Sequence, residues 1–342
     1  MKVMTPHYYK DFRCIAGACT DTCCAGWDVD VDKNSYKYYK TVKGAFGKRL
    51  KSVMVPSQDG ECTFTLKEGG RCPFLNDDNL CDLYIELGED KLCETCAEFP
   101  RFINDYGNIR EIGIAPSCKT AGELMFSYKD ELTFDTVEDN SLTLEPNDID
   151  AYTYMHLRQA RIVAFGIISD RDISIFERLM LYLDYAKRIQ KHLDAEKDEL
   201  IAGVAKRFCG ADYREELLDK LKSRDEKLHG KRLIKGLRHF FDDFKGMEVI
   251  NPDWNIHVAR VRQFLDGLAD DSGLAAVMKT YHAGSEAFAH EYEQLAMYYV
   301  YRYMLDAVND YDILLKAKNA VIGILSVDIM AAANQASGCM PD

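Results

Sequence analysis

The residues with the clearest chemical potential in this chain are its cysteines. Ten of the twelve lie within the first 118 of 342 residues, and four of them fall within eleven positions, from Cys14 to Cys24. Thiolates are the ligands that Zn²⁺ and iron–sulfur clusters favour, and the small residues between them let the backbone fold closely around a metal. The sequence therefore predicts a metal centre rather than a set of buried, inert thiols.

Eight cysteines are the predicted metal ligands, with Cys62 and Cys93 as spares. Adjacent side chains point apart in extended backbone, so Cys23 and Cys24 are not expected to bind one mononuclear ion together. Either two centres exist or one of this pair is structural, and the sequence does not assign ligands to centres. The predicted ligands are Cys14, Cys19, Cys23, Cys24, Cys72, Cys81, Cys96 and Cys118.

The identity of the metal is a choice between zinc and iron–sulfur. Structural zinc usually shows two close CxxC or CxxH pairs, whereas this chain has C-x4-C-x3-C-C followed by long gaps. Cys72-Pro73 resembles the Cys-Pro of ferredoxin sequences. A four-iron (4Fe-4S) cluster is therefore favoured, with zinc as the alternative. The third cysteine of a C-x3-C-x2-C motif is replaced by Gly26, which argues against radical initiation at this cluster.

Composition limits the class of protein and its partners. The chain is 47% hydrophobic and 29% charged with only 8 prolines, which suits one large or two ordinary globular domains. The net charge of −13 argues against a nucleic-acid partner and suits a Lys-rich one, although it also simply confers solubility. Residues 1–10 lack the apolar run of a secretory signal, and no apolar stretch of about 18 residues occurs, so we expect a cytoplasmic protein without a membrane partner.

The elements that must position the cysteines differ between the two parts of the chain. Alternating residues predict short strands over 27–32 and 60–66, helical spacing predicts a helix over 34–54, and Gly69-Gly70 predicts a hairpin-type turn. Beyond about residue 145 the apolar residues recur at helical spacing. The predicted helices cover 149–168, 172–193, 196–208, 212–223, 227–244, 254–268, 271–282, 285–309 and 311–333.

These patterns predict a mainly α fold. A cysteine-rich, metal-stapled domain with short strands is expected over residues 1–135, followed by an all-helical domain over 145–342. The acidic and polar stretch 134–148 is the expected boundary between them.

The cysteine region resembles the flagellin lysine-N-methylase family, which is similar over its first third to bacterial cysteine-cluster proteins described as zinc- or iron-chelating. The resemblance implies S-adenosylmethionine-dependent methylation of lysine side chains on flagellin, with the cysteines holding a metal centre. Cys93 falls outside the expected cysteine pattern. The matching segments are FRCIAGACTDTCCAGW at 12–27, CPFL at 72–75, LC at 80–81, LGE at 87–89, TCAEFPR at 95–101 and SC at 117–118.

A lysine methylase must deprotonate the ε-amine and align it with the methyl donor, for which a tyrosine hydroxyl or a carboxylate is suited. The predicted helix 285–309 offers Tyr292, Tyr298 and Tyr299 as candidate catalytic residues, with Glu291 and Glu293 beside them. Packing of an amphipathic helix is the alternative role for these tyrosines. No G-x-G-x-x-G motif follows a strand, so the sequence does not locate an S-adenosylmethionine site.

Two functions therefore remain open. One is a protein-lysine N-methyltransferase that acts on flagellin or another Lys-bearing protein. The other is a non-catalytic zinc- or iron-binding interaction protein whose helical half recognises a partner.

Overall fold

A computed structural model describes residues 1–57, 60–141, 148–228, 232–247, 249 and 253–338. Cys339 and residues 142–147 of the predicted domain boundary lie outside these described residues. The strands are β1 (Lys2–Pro6), β2 (Asp30–Val31), β3 (Met54–Pro56), β4 (Cys62–Phe64), β5 (Arg101–Tyr106), β6 (Ile109–Ile114) and β7 (Phe134–Glu138).

Helices form most of the described chain. The first five are α1 (Lys33–Thr41), α2 (Gly44–Val53), α3 (Asp82–Leu87), α4 (Glu94–Glu98) and α5 (Lys119–Ser127). The remainder are α6 (Ala151–Ile168), α7 (Ile175–Leu193), α8 (Ile201–Phe208), α9 (Ala211–Leu228), α10 (Arg232–Asp243), α11 (Asp253–Gly267), α12 (Asp271–Ser285), α13 (Ala289–Tyr303), α14 (Ala307–Asp310) and α15 (Ile313–Ala336). The predicted mainly α fold, with short strands confined to the N-terminal part, is confirmed.

Two predicted helices are interrupted in the structure. The helix expected over 34–54 breaks between α1 and α2, where Gly44 takes a φ of 80° that only glycine adopts readily. The long helix expected over 285–309 is instead α13 and α14 with 3₁₀ turns before and between them. Helical periodicity continues across such short breaks, so the apolar pattern alone did not locate them.

Two small sheets lie in the N-terminal part. One is three-stranded in the order β2-β4-β3, and its strands pair antiparallel. The other is four-stranded in the order β5-β6-β1-β7, with β1 parallel to β6 and antiparallel to β7. The second sheet therefore joins the first residues of the chain to residues 101–138.

The four-stranded sheet packs on the helical part through one continuous core, which includes Phe102 and Ile114 together with Leu157, Tyr182 and Val300. A fully buried ion pair joins the sheet to α6, because Nη1 and Nη2 of Arg161 both donate to the carboxylate of Glu111. A separate core lies within residues 29–96 and contains cysteines among its apolar side chains. None of the described helices combines the length and the hydropathy that a membrane span requires.

Candidate metal centre

Six cysteines surround one cavity of about 60 Å³ in the second core. One water molecule needs only ~10–15 Å³ of such space, so the cavity is several times larger than one water molecule requires. Its remaining walls are apolar and include Trp27, Phe64, Phe74 and Phe99. The six cysteines are Cys23, Cys24, Cys72, Cys81, Cys93 and Cys96.

Backbone hydrogen bonds bring the first two cysteine loops together. The N–H of Cys72 donates to the carbonyl oxygen of Cys24 at 2.8 Å, and the N–H of Gly26 donates to Gly70 at 3.0 Å. Both glycines have positive φ, and a Cβ at Gly70 would lie 3.3 Å from the nitrogen of Gly26. The close approach of the two loops therefore depends on glycine at both positions.

The turn between Cys72 and Cys81 is fixed by polar side chains. The Asn76 amide oxygen accepts from two backbone N–H groups within the turn, and the Asn76 amide nitrogen donates to Asp82 at 3.0 Å. Arg49 on α2 binds the Asp82 carboxylate and the carbonyl of Pro73, each at 2.6 Å. Both ends of the turn are thus held against the same helix.

Helix N-termini lie beside three of the cysteines. Cys81, Cys93 and Cys118 are the N-cap residues of α3, α4 and α5. Burial raises the pKa of the Cys81 thiol, and the backbone N–H groups of Tyr84 and Leu83 oppose that rise because they favour the thiolate. Free N–H groups at a helix start stabilise anions. This local backbone suits a thiolate ligand.

The thiols around the cavity influence one another's ionisation. The pKa of Cys96 is raised first by its interaction with Cys93 and then by burial and by the charges of Cys93, Cys24 and Cys72. The pKa of Cys24 is raised in the same way, first by its interaction with Cys23, then by burial and by the charges of Cys23, Cys72 and Cys81. The pKa of Cys23 falls to about 7 because Cys24 donates to it. Several thiolates share this apolar space only if a positive centre offsets their mutual repulsion.

Five of the eight predicted ligands line the cavity, namely Cys23, Cys24, Cys72, Cys81 and Cys96. Cys14, Cys19 and Cys118 do not line it, although the charges of Cys19 and Cys23 act on Cys118. Cys93, taken as a spare from the sequence, lines the cavity. The C-x-x-C spacing of Cys93 and Cys96 places both residues at the start of α4, and this local spacing is the signal that could have added Cys93 to the predicted ligands.

The adjacent pair shares this cavity. Cys23 and Cys24 both line the cavity, because residues 23–24 form a turn rather than extended backbone. Within the described ranges, no three His, Cys, Asp or Glu side chains are already placed to hold one metal ion. The thiols therefore surround a space and do not outline a closed mononuclear site.

The three candidate catalytic tyrosines lie on α13. The Tyr292 hydroxyl donates to Asp328 at 3.1 Å, and the Tyr298 hydroxyl accepts from Arg302 at 2.5 Å. Tyr299 packs against Gly323 of α15. The rings of Tyr298 and Tyr299 contact each other and Tyr303, whereas the Tyr292 hydroxyl contacts Asp328.

The two glutamates beside these tyrosines also differ from each other. Glu293 is buried and accepts from Arg171 at 2.8 Å and from Arg178 at 2.7 Å. Guanidinium groups contact both oxygens of this carboxylate, so its contacts are those of a buried ion pair that joins α13 to α7 and to the turn before it. Burial raises the pKa of Glu291.

Comparison with known proteins identifies the family. The family model described as the FliB lysine N-methylase C-terminal domain matches residues 161–338, just over half of the chain. The chain belongs to the FliB lysine N-methylase family. The match covers α7 to α15 and thus most of the helical part.

Three curated relatives have similarity to a third of the chain. Over 121 residues the chain is 30% identical to the flagellar biosynthetic protein FliU of Salmonella muenchen, covering 34% of this chain and 72% of that protein. It is 29% identical over 121 residues to the lysine-N-methylases of Salmonella choleraesuis and Salmonella typhimurium. The aligned region spans only 30% of the length of each of these two proteins. No solved structure matches the chain.

Proposed function

We propose that this protein is a protein-lysine N-methyltransferase that uses S-adenosylmethionine and acts on flagellin, with a cysteine-ligated iron–sulfur cluster. The observation that carries the proposal is membership of the FliB lysine N-methylase family over residues 161–338. The relatives named lysine-N-methylase and flagellar biosynthetic protein support both the reaction and a flagellar substrate.

The residues of the second core fit a metal cluster. A four-iron cluster needs four thiolates, and the cavity has six cysteines, apolar walls and helix starts that favour the charged form of sulfur. The ligands would come from Cys23, Cys24, Cys72, Cys81, Cys93 and Cys96. Bound there, the cluster would supply thiolate bonds that join four separate loops and so stabilise this part of the chain.

The experiment that tests the activity is methyl transfer with defined components. Protein purified without oxygen is incubated with S-adenosylmethionine and flagellin from the same organism, and intact-mass spectrometry counts methyl groups on flagellin. Flagellin with chemically acetylated lysines is the matched control, because acetylation removes the nucleophilic amine. We expect mass increments of one or more methyl groups on flagellin and none on the control.

A non-catalytic metal-binding role would give the opposite result. Six cysteines around one cavity support metal binding whether or not the protein is an enzyme. Bound iron together with the absence of S-adenosylmethionine binding by calorimetry, and of methyl-lysine on flagellin, would favour this second function.

A further inference from the structure

A hydrogen-bonded chain of side chains connects a surface cleft to a buried carboxylate. The Tyr281 and Tyr292 hydroxyls are 3.0 Å apart, and Tyr292 donates to Oδ1 of Asp328 at 3.1 Å. Nε2 of His282 lies 3.0 Å from each oxygen of the same carboxylate. The side chain of Asp328 is only 3% exposed. Burying a carboxylate is unfavourable unless polar groups contact it, and here Tyr292 and His282 supply those contacts.

The cleft has a volume of about 330 Å³ and lies between α12 and α15. Tyr281 is among its lining residues, and Ala332, also in the lining, follows Asp328 by one helical turn on the same face of α15. The buried carboxylate and the cleft are thus linked on both helices. The other lining residues are Ala276, Val277, Thr280, Gln335 and Ala336.

We propose that this cleft holds the lysine side chain of the protein substrate, and that Tyr281, Tyr292 and Asp328 carry the ammonium proton away from it. The inference rests on the proposed methyltransferase function. Ala276, Val277 and Ala332 give the cleft apolar side chains that suit the four-carbon stem of lysine. The Tyr281 and Tyr292 hydroxyls connect the cleft to the negative charge of Asp328. Tyr281 is then a catalytic residue, whereas His282 is a positioning residue for the carboxylate.

The proton moves by a relay in which each hydroxyl gains one proton and gives up another. An N–H bond of the ammonium breaks and its proton passes to the Tyr281 oxygen, the Tyr281 proton passes to Tyr292, and the Tyr292 proton passes to Asp328. The freed lone pair of the amine forms the new N–C bond to the methyl group of a sulfonium donor. The C–S bond breaks with its electron pair retained by sulfur, so atoms and charge balance.

Burial is consistent with this direction of transfer. Desolvation raises the pKa of the Asp328 carboxyl, and therefore makes the carboxylate a stronger base than an exposed one. The ring of Phe176 stacks on His282 with centroids 4.6 Å apart, which covers that side of the network. A base in hydrogen-bonded line with its substrate contributes about 10²–10⁴-fold to such reactions.

Tyr281→Phe keeps the ring that lines the cleft and removes the first hydroxyl of the relay. With a lysine peptide we expect kcat to fall by about 10²-fold while KM changes little. A peptide in which S-(2-aminoethyl)cysteine replaces the lysine has a more acidic ammonium group. Its methylation depends less on the relay, so Tyr281→Phe should lower kcat less with this peptide than with the lysine peptide. Tyr152→Phe, which removes the hydroxyl of an exposed tyrosine on α6, is the control and should keep the wild-type rates.

A second variant tests the cleft without relying on turnover. Ala336→Trp places a bulky ring at the exposed end of α15, where it would fill the cleft with little effect on the core. Calorimetry should then show at least tenfold weaker binding of the lysine peptide.

The outcomes distinguish the two levels of the proposal. Equal losses for both acceptors with Tyr281→Phe, unchanged rates, or unchanged peptide binding with Ala336→Trp would overturn the relay and the cleft while the methyltransferase function stands. If the wild-type protein methylates neither the lysine peptide nor the S-(2-aminoethyl)cysteine peptide, the proposed function and this inference are both wrong.

Discussion

The backbone N–H of Cys72 donates to the carbonyl oxygen of Cys24, and this bond places two cysteine loops that are distant in sequence side by side. The neighbouring pair Cys93 and Cys96 reaches the same cavity from the start of α4. Backbone and side-chain hydrogen bonds therefore bring these cysteine loops to one cavity. A metal bound there would be held by loops that the fold already positions, and its binding energy would add to the folding of residues 29–96.

The metal itself is the first prediction. Protein purified without oxygen should be brown and should carry iron and labile sulfide in near-equal amounts, since the cavity is larger than one ion needs and is lined by six cysteines. Elemental analysis and a sulfide assay measure both. Colourless protein with stoichiometric zinc would contradict the iron–sulfur proposal and leave the cysteine-lined cavity unchanged.

The second prediction concerns the contribution of the metal to stability. Cys96→Ser should lose the metal and lower the melting temperature of the cysteine region, because its thiol lies in the cavity beside the other five. Cys209 is exposed, so Cys209→Ser should change the free energy of unfolding by less than about 0.5 kcal/mol. A chelator should destabilise the wild type and Cys209→Ser but not Cys96→Ser. Identical melting curves for both variants would exclude a metal contribution at Cys96.

The third prediction ranks the candidate catalytic tyrosines. Tyr292→Phe interrupts the relay and should reduce turnover the most, by about 10²-fold. Tyr298→Phe and Tyr299→Phe remove hydroxyl groups that lie beside Arg302 and Gly323, outside the relay. Their effects on turnover should therefore be smaller than that of Tyr292→Phe. For all three variants, we expect a proportionally larger loss of kcat than of the free energy of unfolding. Rates and denaturant midpoints for the three variants test this order, and a larger loss with Tyr299→Phe would contradict it.

How much the sequence could predict depended on the range of the interactions involved. The helical segments after residue 145 followed from local periodicity, whereas the metal centre stays a prediction from cysteine spacing. The four-stranded sheet did not, because Lys2 pairs with Ile109 on one side and Glu138 on the other, and no local pattern encodes such partners. The Asp328 network was missed for the same reason, since its residues come from three helices.

The fourth prediction concerns the buried ion pair between the sheet and α6. Arg161→Met would leave the fully buried Glu111 carboxylate without its guanidinium and should cost about 3–5 kcal/mol. The double variant Arg161→Met with Glu111→Leu removes both charges and should recover most of that loss. Urea unfolding of the single and double variants measures the difference. Equal losses in both would mean that packing, and not the unpaired charge, dominates.

The last prediction concerns the contact between α13 and α15. A Cβ at Gly323 would lie 2.4 Å from the Tyr299 hydroxyl oxygen and 2.9 Å from the ring carbon that bears it. Gly323→Ala should therefore destabilise the protein by about 1–3 kcal/mol, because the two helices must move apart or the tyrosine must leave its position.

Two further variants isolate the cause of this effect. Tyr299→Phe removes the nearest atom, so in that background Gly323→Ala should cost less than it does alone. The same substitution at Gly166, an exposed position in α6 where the new Cβ would meet nothing within 4 Å, should stabilise the protein by about 0.5–1 kcal/mol through helix propensity. Opposite signs for Gly323→Ala and Gly166→Ala would place the cost in the helix contact. Destabilisation of equal size at both glycines would contradict that packing.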